Sequence, residues 1–89
     1  MERRLNDVTN GLSVKLIKGR CLRHPEGWIE SKTKVDYTLW NVMEGDVHVK
    51  VNGRELCATR GDVIFFFPGD KYTAWSDTGC LFLFIYFSL

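Results

Sequence analysis

The run Val47-His48-Val49-Lys50-Val51-Asn52-Gly53-Arg54-Glu55-Leu56-Cys57-Ala58 carries the strongest structural signal in the chain. Three valines alternate with His48 and Lys50, so the valines line one face of a strand and the polar pair the other. Asn52-Gly53 follows, a dipeptide suited to a two-residue type I′ hairpin turn because both central residues need positive φ. Arg54 to Ala58 then returns as the partner strand.

Signals of the same kind continue on either side. Upstream, Tyr37 to Met43 (YTLWNVM) is rich in β-branched and aromatic residues, and Glu44-Gly45-Asp46 is expected to close it as a turn. Ser31 to Asp36 is polar and reads as a loop, Trp28 to Glu30 as a short strand, and His24-Pro25-Glu26-Gly27 as a turn. Leu12 to Leu22 reads as one or two short strands. Downstream, Arg60-Gly61-Asp62 is a turn, and Val63 to Phe67 (VIFFF) is apolar on both faces, as in a strand covered on its outer side. Pro68-Gly69-Asp70, a strand at Lys71 to Trp75, a turn at Ser76 to Gly79 and an apolar strand at Cys80 to Phe87 complete the chain. Short strands at roughly ten-residue spacing, separated by glycine turns, predict an all-β sandwich or jelly-roll barrel.

Composition narrows the function. Eighty-nine residues, 45% of them hydrophobic, make one small packed domain spanning 1–89. A formal net charge of +1 supplies no basic patch for phosphate neutralisation, so this segment is not expected to contact nucleic acid. Cys21, Cys57 and Cys80 are widely spaced and odd in number, which fits reduced thiols in the cytoplasm better than disulfides or a zinc site. Cys57 and Cys80 fall in strand patterns, where a buried free cysteine packs as a small hydrophobe. The start, Met1-Glu2-Arg3-Arg4, has no apolar segment of the signal-peptide kind behind it. The run Cys80 to Leu89 is about half the length of a membrane-spanning helix, so no membrane role is expected.

Three segments in order carry a family resemblance: Tyr37 to Gly45 (YTLWNVMEG), Val51 to Glu55 (VNGRE), and Gly61 to Gly69 (GDVIFFFPG). They resemble the two cupin motifs, and with Trp28, Asp36-Tyr37-Thr38-Leu39 and Tyr86-Phe87 they are most similar to the N-terminal domain of AraC-type transcription regulators. The likeness covers about residues 28–87. It implies a small cupin-like double-stranded β-helix, a jelly-roll barrel, that senses an effector or pairs subunits. DNA binding would then belong to a helix-turn-helix region that this chain does not contain. Cupin enzymes hold a metal through two histidines and a glutamate in the first motif and a histidine in the second. The corresponding places here hold Ser31-Lys32-Thr33-Lys34, Thr38 and Tyr72, so the resemblance implies no metal, no cofactor and no catalytic residues. His24 before a proline and His48 on the polar face of the hairpin read as solvated side chains.

If the cupin orientation holds, Thr38, Trp40 and Val42 point into the barrel, joined by Tyr72 and Ala74. Alternation in the last strand sets Phe82, Phe84 and Tyr86 against Leu81, Leu83 and Ile85, and the likeness favours the first set as inward. Thr38, Trp40, Tyr72, Phe82, Phe84 and Tyr86 are therefore the candidate ligand-binding residues. The same rings serve at least as well as plain barrel filling. With few hydrogen-bonding groups among them, any effector should be less polar than a free sugar. The doubly apolar last strand needs cover, which suggests a fragment cut just after the barrel and a homodimer. The rival reading is a stand-alone small cupin, either an enzyme or a non-catalytic binder of small molecules.

Overall fold

The computed structural model describes residues 15–88. They form β1 (Lys15–His24), β2 (Ile29–Thr33), β3 (Tyr37–Val51), β4 (Arg54–Thr59), β5 (Val63–Phe66), β6 (Lys71–Trp75) and β7 (Cys80–Ser88), with no helix among them. Every pairing is antiparallel. One layer runs β1-β7-β3-β5 and the other β2-β6-β3-β4, so β3 belongs to both. The result is a curled, two-layered antiparallel barrel, as the cupin resemblance implies.

The hairpin forms as its sequence requires. Val47 pairs with Ala58 and Val51 with Arg54, while Asn52 and Gly53 take φ of 51° and 77°. Val47 and Val49 are fully buried, and Val51 is half-buried against the same core. The Gly-Asp turns share one device. Asp62 accepts the Thr59 N–H at 2.9 Å and Asp70 the Phe67 N–H at 2.8 Å, with Gly61 and Gly69 both at φ 91°. Each aspartate thus satisfies a backbone donor that the turn would leave unpaired.

Several expectations need correction. Glu44-Gly45-Asp46 is not a turn: β3 runs unbroken through it, with a bulge between Val42 and Glu44 and Gly45 at φ 76°. The extra residue, Met43, bends the strand out of one sheet and into the other, which a bulge does at less cost than a reversal. The segment Ser31–Asp36 is not wholly a loop, since β2 continues to Thr33 opposite Lys71. Nor is the outer side of β5 covered among the described residues, since Val63 is 54% and Phe65 44% exposed. Cys57 is exposed; only Cys80 behaves as a buried hydrophobe. The predicted strand at Leu12 to Leu22 is a single one from Lys15, its first residues lying outside the described chain.

Candidate functional site

Alternation along β3 buries Thr38, Trp40 and Val42, and the β3–β7 register sets them opposite Tyr86, Phe84 and Phe82. Trp40 is the hub. Its ring stacks on Phe82 at 4.6 Å and meets Phe66 (4.8 Å) and Tyr72 (5.5 Å) edge-on. Trp28 packs at 6.1 Å on Phe82 and carries His24 stacked on its outer face at 3.9 Å, so His24 is not simply solvated. Burial pushes the His24 pKa down.

All six candidate residues therefore face the interior, but they divide. Trp40, Phe82 and Phe84 are 2–3% exposed and pack as core. Thr38 and Tyr86 reach an opening of about 190 Å³, whose rim includes Thr33, Lys34, Val35 and Asp36. Tyr72 turns its hydroxyl to Glu30 Oε2, donating at 2.5 Å. Burial first, then that carboxylate, keeps the Tyr72 proton on well above the ordinary phenol range.

The residue that the sequence reading missed is Lys34. Its backbone is pinned, N–H to the Asp70 carbonyl at 2.9 Å and carbonyl to the Gly69 N–H at 2.8 Å. Its side chain runs inward and is only 8% exposed. Nζ lies 5.0 Å from the ring centres of Trp40 and Tyr72, 5.1 Å from Phe66 and 5.2 Å from Tyr86. Among the described residues no carboxylate pairs with it. Burial lowers its pKa to about 8, against the opposing pull of Glu30. One signal could have revealed it. Trp28, Glu30, Lys32 and Lys34 keep period-two spacing, and its far members looked polar enough to be a loop.

A second cluster lies on the opposite sheet, where His48 was read as solvated. Its ring is half-buried, stacked on Trp75 at 5.3 Å, with Nε2 2.7 Å from Asp46 and 3.3 Å from Asp77. Asp46, His48 and Asp77 could offer three donor atoms to a cation. Asp46, however, already accepts the Thr78 hydroxyl, Ser76 Oγ at 3.2 Å, and the backbone N–H groups of Asp77 (3.2 Å) and Thr78 (3.1 Å). Those bonds, the Thr78 hydroxyl foremost, hold its pKa well below the usual carboxylate range. The arrangement clasps the β6–β7 turn to β3.

With this geometry in place, residues 25–89 match the family described as the AraC-like ligand binding domain. The chain belongs to that family. Its solved structural neighbours are cupins or cupin-shaped. An RmlC-like cupin from Shewanella frigidimarina superposes with TM-score 0.75 at 22% identity, over 84% of this chain and 68% of that one. The Clostridium difficile EutQ protein gives 0.71 at 19%, over 78% of this chain and 54% of its own. A predicted oxalate decarboxylase from Thermotoga maritima gives 0.69 at 20%, over 84% and 69%. Identities this low carry the fold alone, and the AraC-like domain spans about half of the EutQ chain. No curated protein matches the sequence.

Proposed function

We propose that this AraC-like domain is the effector-sensing part of a bacterial transcription regulator, without catalytic activity of its own. The observation that carries the reading is the opening at Thr38 and Tyr86, at the rim of an aromatic barrel interior, in a chain of the ligand-binding family. Small-molecule sites combine apolar walls with a few polar groups in this way. The effector would be less polar than a free sugar, because Thr38, Tyr86 and Lys34 are the main polar groups within reach. Binding would favour one arrangement of the regulator only through different affinity for the two.

Pairing of two copies is the second part of the proposal. Tyr37, Phe65, Phe67 and Phe87 form an aromatic group on the outside of the first sheet, with Phe67 57% exposed. A two-fold contact through this face would cover it on both copies.

The deciding experiment takes the native gene product. It should carry a helix-turn-helix region, and an effector that raises its melting temperature should change its affinity for operator DNA. A native product without such a region would sink the regulator reading. Stoichiometric metal by elemental analysis would favour the enzymatic cupin instead.

A further inference from the structure

We propose that the four rings around the Lys34 ammonium are a binding site for a small methylated ammonium compound, and that Lys34 is its resident plug. The proposal rests on reading the barrel interior as an effector site, and it names the chemical class of the effector.

The cage belongs to the barrel, not to the lysine. Trp40 comes from β3, Phe66 from β5, Tyr72 from β6 and Tyr86 from β7. Each is braced independently of Lys34: Trp40 by Phe82, Tyr72 by Glu30, Phe66 by Trp40, Tyr86 by Phe84. Removing the ammonium therefore leaves the walls standing. A cation within about 6 Å of an aromatic face is attracted by the ring quadrupole, and four faces at 5.0–5.2 Å surround a single point here.

Lys34 fills that point poorly. Its ammonium is half stripped of water among the rings and has no paired carboxylate among the described residues, so it keeps its hydration only on the side of the opening that Lys34 itself lines. A core selected for stability alone would carry methionine or leucine there. A methylated ammonium has the charge the rings favour and fewer N–H groups, or none, to strip of water. It would enter through the opening at Asp36, Thr38 and Tyr86, whose rim carries the Asp36 carboxylate beside the Lys32 ammonium, so the attraction for a cation comes from the rings and not from the mouth. Lys34 can leave by side-chain rotation alone, because its backbone bonds to Gly69 and Asp70 need not break.

Displacement has a pH signature. The groups facing Lys34 are Glu30 and Lys32 on β2, Tyr72 on β6, Tyr86 on β7 and Asp36 at the mouth. In the cage the Lys34 pKa is about 8; expelled to water it returns toward its ordinary 10.5. Binding then takes up a proton above pH 8, so affinity for a permanent cation falls as pH rises from there.

The test titrates choline and its uncharged isostere 3,3-dimethyl-1-butanol into wild type, Lys34→Ala and Lys34→Met, by calorimetry at constant ionic strength, with circular dichroism to check folding. Lys34→Ala should bind choline at least tenfold more tightly than wild type does, and tenfold more tightly than it binds the isostere. Lys34→Met refills the cage and should bind neither. A folded Lys34→Ala that takes both probes equally overturns the cationic class but leaves an effector pocket. One that takes neither overturns the cage as a site and the pocket with it. Should Lys34→Ala fail to fold, wild type decides: choline affinity falling several-fold from pH 8 to 9 supports the plug, and a flat profile overturns it.

Discussion

Replacing Lys34 by methionine keeps an unbranched side chain in the barrel and removes its charge. At pH 7 the ammonium sits in surroundings that hold its pKa at about 8 instead of 10.5. At about 1.4 kcal/mol per unit, the charged form costs the folded state about 3 kcal/mol relative to water. The variant should therefore be more stable by about 1–3 kcal/mol, with Tm rising about 4–8 °C for each kcal/mol in a domain of this size. The sign with pH follows from linkage. The folded pKa lies below the unfolded one, so between pH 8 and 10.5 the unfolded chain binds the extra proton and wild type gains stability. Burial raises the pKa of Cys80, Tyr72 and Tyr86, whose contributions are lost as pH climbs past their unfolded values, but they are common to both proteins. The gap between Lys34→Met and wild type should thus narrow by about 1 kcal/mol from pH 8 to 9. Urea denaturation of both proteins at pH 7, 8 and 9 measures it. A variant less stable at pH 7, or a gap indifferent to pH, would refute the reasoning, because the rings would then hold the ammonium better than water does.

Gly45→Ala should be strongly destabilising, by more than about 2 kcal/mol, since positive φ penalises any Cβ. Here the added atom would also lie 1.9 Å from the Gly79 carbonyl oxygen, and thermal melting reads the loss. Asp46→Asn should lower stability by about 1–3 kcal/mol at pH 7 by weakening charge-assisted bonds to the β6–β7 turn. Because the Asp46 pKa is depressed on folding, its contribution is present above about pH 4 and lost below it; wild type should lose its advantage over Asp46→Asn on acid titration, followed by circular dichroism. Phe65→Lys places a charge on the outer aromatic face, and sedimentation velocity should then show less dimer than wild type, with Tm changed by only a few degrees.

The hairpin was legible because Asn52-Gly53 and alternating valines act locally: two backbone angles and one face determine the outcome. The Gly-Asp turns were legible for the same reason. The bulge at Met43 was not, since it answers to the demand that one strand serve two sheets, and no short-range pattern encodes that. The inward set Thr38, Trp40, Tyr72, Phe82, Phe84 and Tyr86 followed from family likeness and alternation together, whereas its division into core and rim depends on packing. Lys34 was hidden by its own chemistry. A lysine in a polar run reads as solvent-facing, and only the enclosing rings, distant in sequence, reveal where it goes. His48 was misread likewise, because its partners Asp77 and Trp75 come from a turn and strand far along the chain.

The place of β7 between β1 and β3 bears on how the protein is made. Lys18 pairs with Tyr86 and His24 with Cys80, while Trp40 pairs with Phe84. Until Cys80 to Ser88 has left the ribosome, β1 has no strand to join and the Trp40 face has no lid. At roughly 5–20 residues per second the nascent chain spends several seconds with that apolar surface bare. The closing strand works as a keystone, and the interval before it arrives is when a chaperone would be most needed.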